Sequence, residues 1–106
     1  MSRWNEDRGL IRHVPLDHHL LARCLVEKRD PRTALARVSD VLDCAAERSG
    51  LTGPSSRRAI REMLVEMANG GAIHLRRDSV FGDFTHAEVH ESSLRDYLRD
   101  LVASEE

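Results

Sequence analysis

Residues 45–61 read Ala45-Ala46-Glu47-Arg48-Ser49-Gly50-Leu51-Thr52-Gly53-Pro54-Ser55-Ser56-Arg57-Arg58-Ala59-Ile60-Arg61, and the architecture turns on this stretch. The small residues before Gly50 close a helical pattern, and Gly50 is the natural left-handed terminator, with Leu51 placed to pack back on the helix it leaves. Pro54 stands in or near the first turn of a new helix, where its missing N–H costs little. Thr52, Ser55 or Ser56 can cap that helix. The reading is a helix, a tight turn, and a second helix with Arg57, Arg58 and Arg61 in its first two turns.

Upstream, Leu35, Val38, Val41, Leu42, Ala45 and Ala46 gather on one side of a helix predicted from about Arg32 to Ser49, with Arg37, Asp40, Asp43 and Glu47 opposite. Before it, Leu16, Leu20, Leu21, Cys24 and Leu25 recur at helical spacing and predict a first helix over Leu16 to Lys28. Asp30-Pro31 ends that helix, because a residue before proline is pushed out of the helical region. Residues 1–14 are polar, show no usable period, and are expected to form a flexible arm in which Trp4 alone argues for docking. Residues 15–106 are expected to form a single domain.

Downstream, Ile60, Met63, Leu64 and Met67 form the buried stripe of the third helix. At 100° per residue from Ile60, Arg57, Arg61 and Arg58 fall near roughly 60°, 100° and 160°, whereas Glu62 and Glu66 fall near roughly 200° and 240°. Three arginines thus share one flank. Asn69-Gly70-Gly71 stops the helix, and Ala72-Ile73-His74-Leu75-Arg76 alternates as a strand. Its partner is expected over Phe84 to Val89. Three arrangements of the intervening segment stay open: a Gly82-Asp83 turn that sets Phe81 opposite Phe84 and Arg77 opposite Glu88, a shorter hairpin turning at Asp78-Ser79, or a helix begun by a Thr85/Glu88 capping box. A last helix is predicted from about Ser93 to Ala103, with Leu94, Tyr97, Leu98, Leu101 and Val102 on one face. The expected core is Leu20, Leu35, Val38, Leu42, Ile60, Leu64, Ile73, Leu75 and Leu98.

The chain of 106 residues is long enough for one modest core and too short for two. Only four aromatics are present, Trp4, Phe81, Phe84 and Tyr97, which argues against a stacking surface for single strands and leaves little to line a substrate pocket. No apolar run approaches a membrane span, and Met1 to Gly9 lacks a signal-peptide core, so the expected location is cytoplasmic. Cys24 and Cys44 are expected as free thiols packed near helix faces.

The net charge of −2 hides an uneven distribution: residues 1–53 carry +1, residues 54–77 carry +3 and residues 78–106 carry −6. The basic excess coincides with the helix after the turn and the strand that follows. A basic helix behind a tight turn is one way to set positive charge and side-chain donors against a nucleic-acid groove.

Other chemistries are poorly served. His86 and His90 lie four apart, and His13, His18, His19 or a cysteine could complete a metal set, but no paired Cys-x-x-Cys and no His-Glu-x-x-His is present; no metal and no cofactor is expected. There is no Gly-x-Ser-x-Gly turn and no phosphate loop, and Asp17 beside His18 and His19 reads as a helix start, so no enzyme is expected.

Three helices, a turn into a basic third helix, a hairpin and a terminal helix together resemble the winged-helix branch of the helix-turn-helix proteins, over about residues 33–90. The residues that carry the resemblance are Ala46-x-x-x-Gly50-Leu51-Thr52, Ser56-Arg57-Arg58-Ala59-Ile60-Arg61 and Ala72-Ile73-His74-Leu75-Arg76. Departures are a turn lengthened by Gly53-Pro54, Ser56 where the family usually buries an apolar residue, and a second helix longer than usual. The resemblance implies an α+β, mostly helical winged helix whose third helix enters the major groove of double-stranded DNA, with the hairpin as a wing. The implied contacts are Arg57, Arg58 and Arg61 to the groove, Ser55 and Ser56 to phosphate, and Arg76 and Arg77 to the backbone. The expected role is transcriptional regulation or accessory DNA binding, as a homodimer through the C-terminal helix. The alternative is a protein-binding adaptor or inhibitor, of the phage type, that docks its acidic C-terminal third on a basic partner and binds no DNA.

Overall fold

The computed structural model of the chain describes residues 13–80 and 82–105. Residues 1–12 of the expected arm, Trp4 among them, and the Phe81 of the expected hairpin lie outside the described residues. Val14, also of the expected arm, is engaged: its N–H donates to the Arg48 carbonyl at 2.9 Å.

The first helix, α1 (His18–Lys28), starts at Asp17, whose carboxylate accepts from Leu20 N–H at 2.9 Å and so satisfies one of the free donors of the first turn. Beyond its end, Asp30 folds the chain back by accepting from Arg32 N–H, and Ala34 adopts a left-handed conformation at φ 62°. Three residues then form β1 (Leu35–Arg37), and α2 (Val38–Ser49) follows without a break. The helix expected from Arg32 therefore begins six residues late. Leu35 and Val38 fit a helical period, but the backbone of 35–37 pairs with a strand fifty residues away, a long-range contact that overrides local spacing.

Gly50 ends α2 at φ 75°, as expected of a left-handed cap. α3 (Pro54–Asn69) is preceded by Gly53 and has no side-chain cap; Ser55 and Ser56 lie within its first turn, and Thr52 lies before it. β2 (Ile73–Arg77) and β3 (Phe84–Val89) form the hairpin, and α4 (Glu91–Glu105) closes the chain. The connection is a loop over residues 78–83 and not a two-residue turn. Arg77 stands opposite Phe84, and it is His74 that stands opposite Glu88. A bulge between Arg76 and Arg77 shifts the register, and Thr85 lies in the strand and starts no helix.

The three strands form one antiparallel sheet in the order β1-β3-β2. Ala36, Ala87 and Leu75 share its inner face, while Arg37, His86 and Arg76 stand side by side across the outer face. The next outer row is Leu35, Glu88 and His74. Leu35, expected in the core, is thus half-buried on the outside of the sheet.

The core lies between the three helices and the inner face. Leu21, Leu25, Val41, Leu42, Ile60, Leu64, Met67 and Val89 are essentially inaccessible, and their removal from water is the main favourable contribution to folding. Leu20, Val38, Leu42, Ile60, Leu64 and Ile73 of the expected core are buried; Leu75 and Leu98 pack against it half-buried. Cys24 and Cys44 are free and buried where α1 meets α2. Burial, with the Cys44 thiol beside it, pushes the Cys24 thiol up to about 12. Over this contact Arg48 makes a two-pronged bond to Glu27, one prong at 3.1 Å, which holds the Glu27 carboxyl below the usual range.

Candidate nucleic-acid interface

The turn at Gly50 brings α3 out so that its first two turns carry solvent-facing polar groups. Ser55 and Arg58 are exposed, and Ser56, Arg57 and Arg61 are half-exposed. No acidic residue occupies the first turn of α3, so its free backbone N–H groups and positive dipole end are uncompensated.

Three of the five candidate arginines are engaged by carboxylates. Arg57 reaches back to α2, where its Nη1 donates to Asp43 Oδ1 at 2.8 Å. Arg61 points the other way, toward the hairpin loop: its Nη1 lies 2.9 Å from Asp83 Oδ2, close enough for strong charge contact but without hydrogen-bond alignment. Arg76 bonds Glu88 on the outer face of the sheet, with its Nε at 3.1 Å from Oε1. Arg76 and, on the other side, His90 at 2.8 Å hold the Glu88 carboxyl down at about 2.

The remaining two differ. Arg77 sits over the ring of Phe84 at 4.8 Å and donates to the Val80 carbonyl at 3.3 Å, so the guanidinium braces the hairpin loop while the strand itself stays exposed. Arg58 makes no ion pair among the described residues; the pairing with Glu62 that helical spacing would permit is not made.

The fold adds two side chains that sequence reasoning did not place at this interface. Arg37 and His86 are paired across β1 and β3, and both line a cleft of about 380 Å³ together with Arg61, Asp78 and Phe84. Arg37 was hidden because its segment reads as helix. The only local signal was Asp30-Pro31 followed by Thr33, enough turn chemistry to delay the helix.

A second feature lies on the opposite end of the chain. Between α1 and α4 runs a groove of about 410 Å³ floored by Ala22, Val26, Leu94 and Leu98 and edged by Arg23, Glu27, Glu91 and Arg95. Leu94 is buried, but Val102 further along α4 is 43% exposed, so the last two turns of α4 carry apolar surface that their own core does not cover.

Among the described residues no cluster of three or more His, Cys, Asp or Glu side chains could hold a metal ion. Of the histidines in the suggested set, His18 bonds Glu66 at 3.1 Å, His86 bonds Thr85 at 3.0 Å and His90 bonds Glu88. No helix of the described residues is long and apolar enough to cross a membrane. No family model, curated protein or solved structure matches the chain.

Proposed function

We propose that this chain is a winged-helix protein that binds double-stranded DNA as a homodimer and serves as a transcriptional regulator or accessory DNA-binding factor. The observation that carries the reading is topological. A helix, a short strand, two helices joined at the left-handed Gly50 and a hairpin follow one another, and the short strand pairs with the second strand of the hairpin in the order β1-β3-β2. This order of elements supports a reading in which the third helix and the hairpin wing meet DNA together.

In this reading the uncapped N-terminus of α3, with Ser55 and Ser56, takes a phosphate. Arg57, Arg58 and Arg61 meet the groove, and Arg76 and Arg77 follow the backbone, with Arg37 as an addition from β1. The uncovered apolar surface of α4 supplies the dimer seam. The test is binding to random-sequence duplex across a salt series, wild type against Arg57→Ala/Arg58→Ala/Arg61→Ala. Affinity that falls with salt, and falls further in a folded triple variant, is the expected result.

The α1/α4 groove also favours a second reading, a protein-binding adaptor that uses the C-terminal third and contacts no DNA. Absence of duplex binding by the wild type at low salt would select it.

A further inference from the structure

Resting on the DNA-binding reading, we propose that Asp43 and Asp83 are built-in competitors for phosphate: each occupies an arginine of α3 in the free protein and is exchanged for a phosphate oxygen on the duplex, so that loosely held, non-specific DNA is discriminated against.

The geometry is two-sided. Asp43 comes from α2 and takes Arg57 at 2.8 Å; Asp83 comes from the hairpin loop and approaches Arg61 at 2.9 Å. The two carboxylates therefore reach α3 from two different neighbouring segments, α2 and the hairpin loop. An anionic oxygen at this distance from a guanidinium is what a DNA phosphate would offer, in charge and in hydrogen-bonding capacity. Both carboxylates remain largely in water, with Asp43 68% and Asp83 64% exposed at the side chain. Such pairs are weak, equivalent to roughly 1.5- to 5-fold in an equilibrium constant each, so a phosphate presented in the right place can replace them. A phosphate presented loosely gains too little to do so.

The overall charge fits this device. A chain of net −2 with a local excess of +3 over residues 54–77 has little general attraction for a polyanion, and neutralising two arginines of that excess lowers it further.

The experiment compares random-sequence duplex binding by the wild type, Asp43→Asn/Asp83→Asn, and a charge-matched control, Asp40→Asn/Glu91→Gln, two exposed residues that pair with no arginine among the described residues. Circular dichroism melts check that each is folded, and Asp43→Glu/Asp83→Glu keeps the charges and should restore wild-type behaviour. The expected result is that the Asp43/Asp83 variant binds roughly 2- to 25-fold more tightly than the control at about 50 mM salt, with the gap closing as salt screens the pairs. Equal binding by the Asp43/Asp83 variant and the control, with the wild type also binding, overturns this inference and leaves the DNA reading standing. Binding by none of the four proteins overturns both.

Discussion

Tyr97 of α4 lies edge-on against Gly70, the residue that ends α3: a Cβ at Gly70 would stand 2.6 Å from Tyr97 Cε1. No real side-chain carbon tolerates that approach, so the absence of one at Gly70 is what lets α4 settle there. The same ring lies 6.0 Å from the His18 ring, and His18 in turn bonds Glu66 of α3, so one aromatic joins three helices. Gly70→Ala is expected to destabilise the fold by about 1–3 kcal/mol through overpacking. Urea melts of Gly70→Ala, Tyr97→Ala and the double variant test it. If the alanine costs as much without the Tyr97 ring as with it, the contact is not the cause.

How much of this was legible in advance varies with the range of the interaction. α1, α3 and α4 were readable because Asp17, then Pro54 with the Ile60, Leu64, Met67 stripe, then the Leu94, Leu98, Leu101 face carry local signals. β1 was not, since Leu35-Ala36-Arg37 becomes a strand only by pairing with His86 to Glu88. The arginines of α3 were found at the correct helical positions, yet their partners Asp43 and Asp83 are fourteen and twenty-two residues away, beyond any helix-period argument. Of the three arrangements open for the hairpin, the Gly82-Asp83 turn would set Arg77 opposite Glu88; Arg77 stands opposite Phe84 because the connection is a loop over residues 78–83, whose length alternation does not fix.

Ala34 holds a left-handed backbone at φ 62° between α1 and β1, and its carbonyl accepts from Val89 N–H at 2.7 Å. A Cβ there costs about 1–2 kcal/mol, partly offset by the greater freedom that glycine has in the unfolded chain. Ala34→Gly is therefore expected to stabilise the protein by roughly 0.5–1 kcal/mol. A thermal melt in which Ala34→Gly unfolds below the wild type would refute the assignment of strain.

Glu88 bonds Arg76 and His90, and its carboxyl is held down at about 2 against an ordinary 4.5. A carboxylate with a depressed folded-state pKa contributes stability that is fully present above its unfolded value and is lost as pH falls toward the folded one. Stability is thus expected to decline between about pH 4.5 and 2, and Glu88→Gln should flatten that part of the profile. Chemical denaturation at a series of pH values measures it, and an unchanged slope in Glu88→Gln would count against the Arg76 and His90 pairing.

Leu98 lines the α1/α4 groove and packs on the core, whereas Val102 projects beyond it, so a charge at Val102 should oppose association while sparing the core. Sedimentation of the wild type is expected to show a dimer, and Val102→Glu a folded monomer. A wild type that is already monomeric at high concentration would remove α4 as a dimer seam. Because dimeric proteins read two half-sites, the monomer is also expected to lose affinity for duplex.

The central strand of the sheet is the last of the three to be synthesised, and every inter-strand ladder runs through it. A ribosome that has released only residues up to Arg77 has made both outer strands and can pair neither. Sheet formation therefore waits for Phe84 to Val89, and closure of the Leu35 to Glu88 loop is a late, non-local event that slows folding relative to the helices around it. A chain cut short before Phe84 would expose two unpaired strand edges at once, so premature termination or cleavage in the hairpin loop yields an aggregating fragment and not a smaller domain.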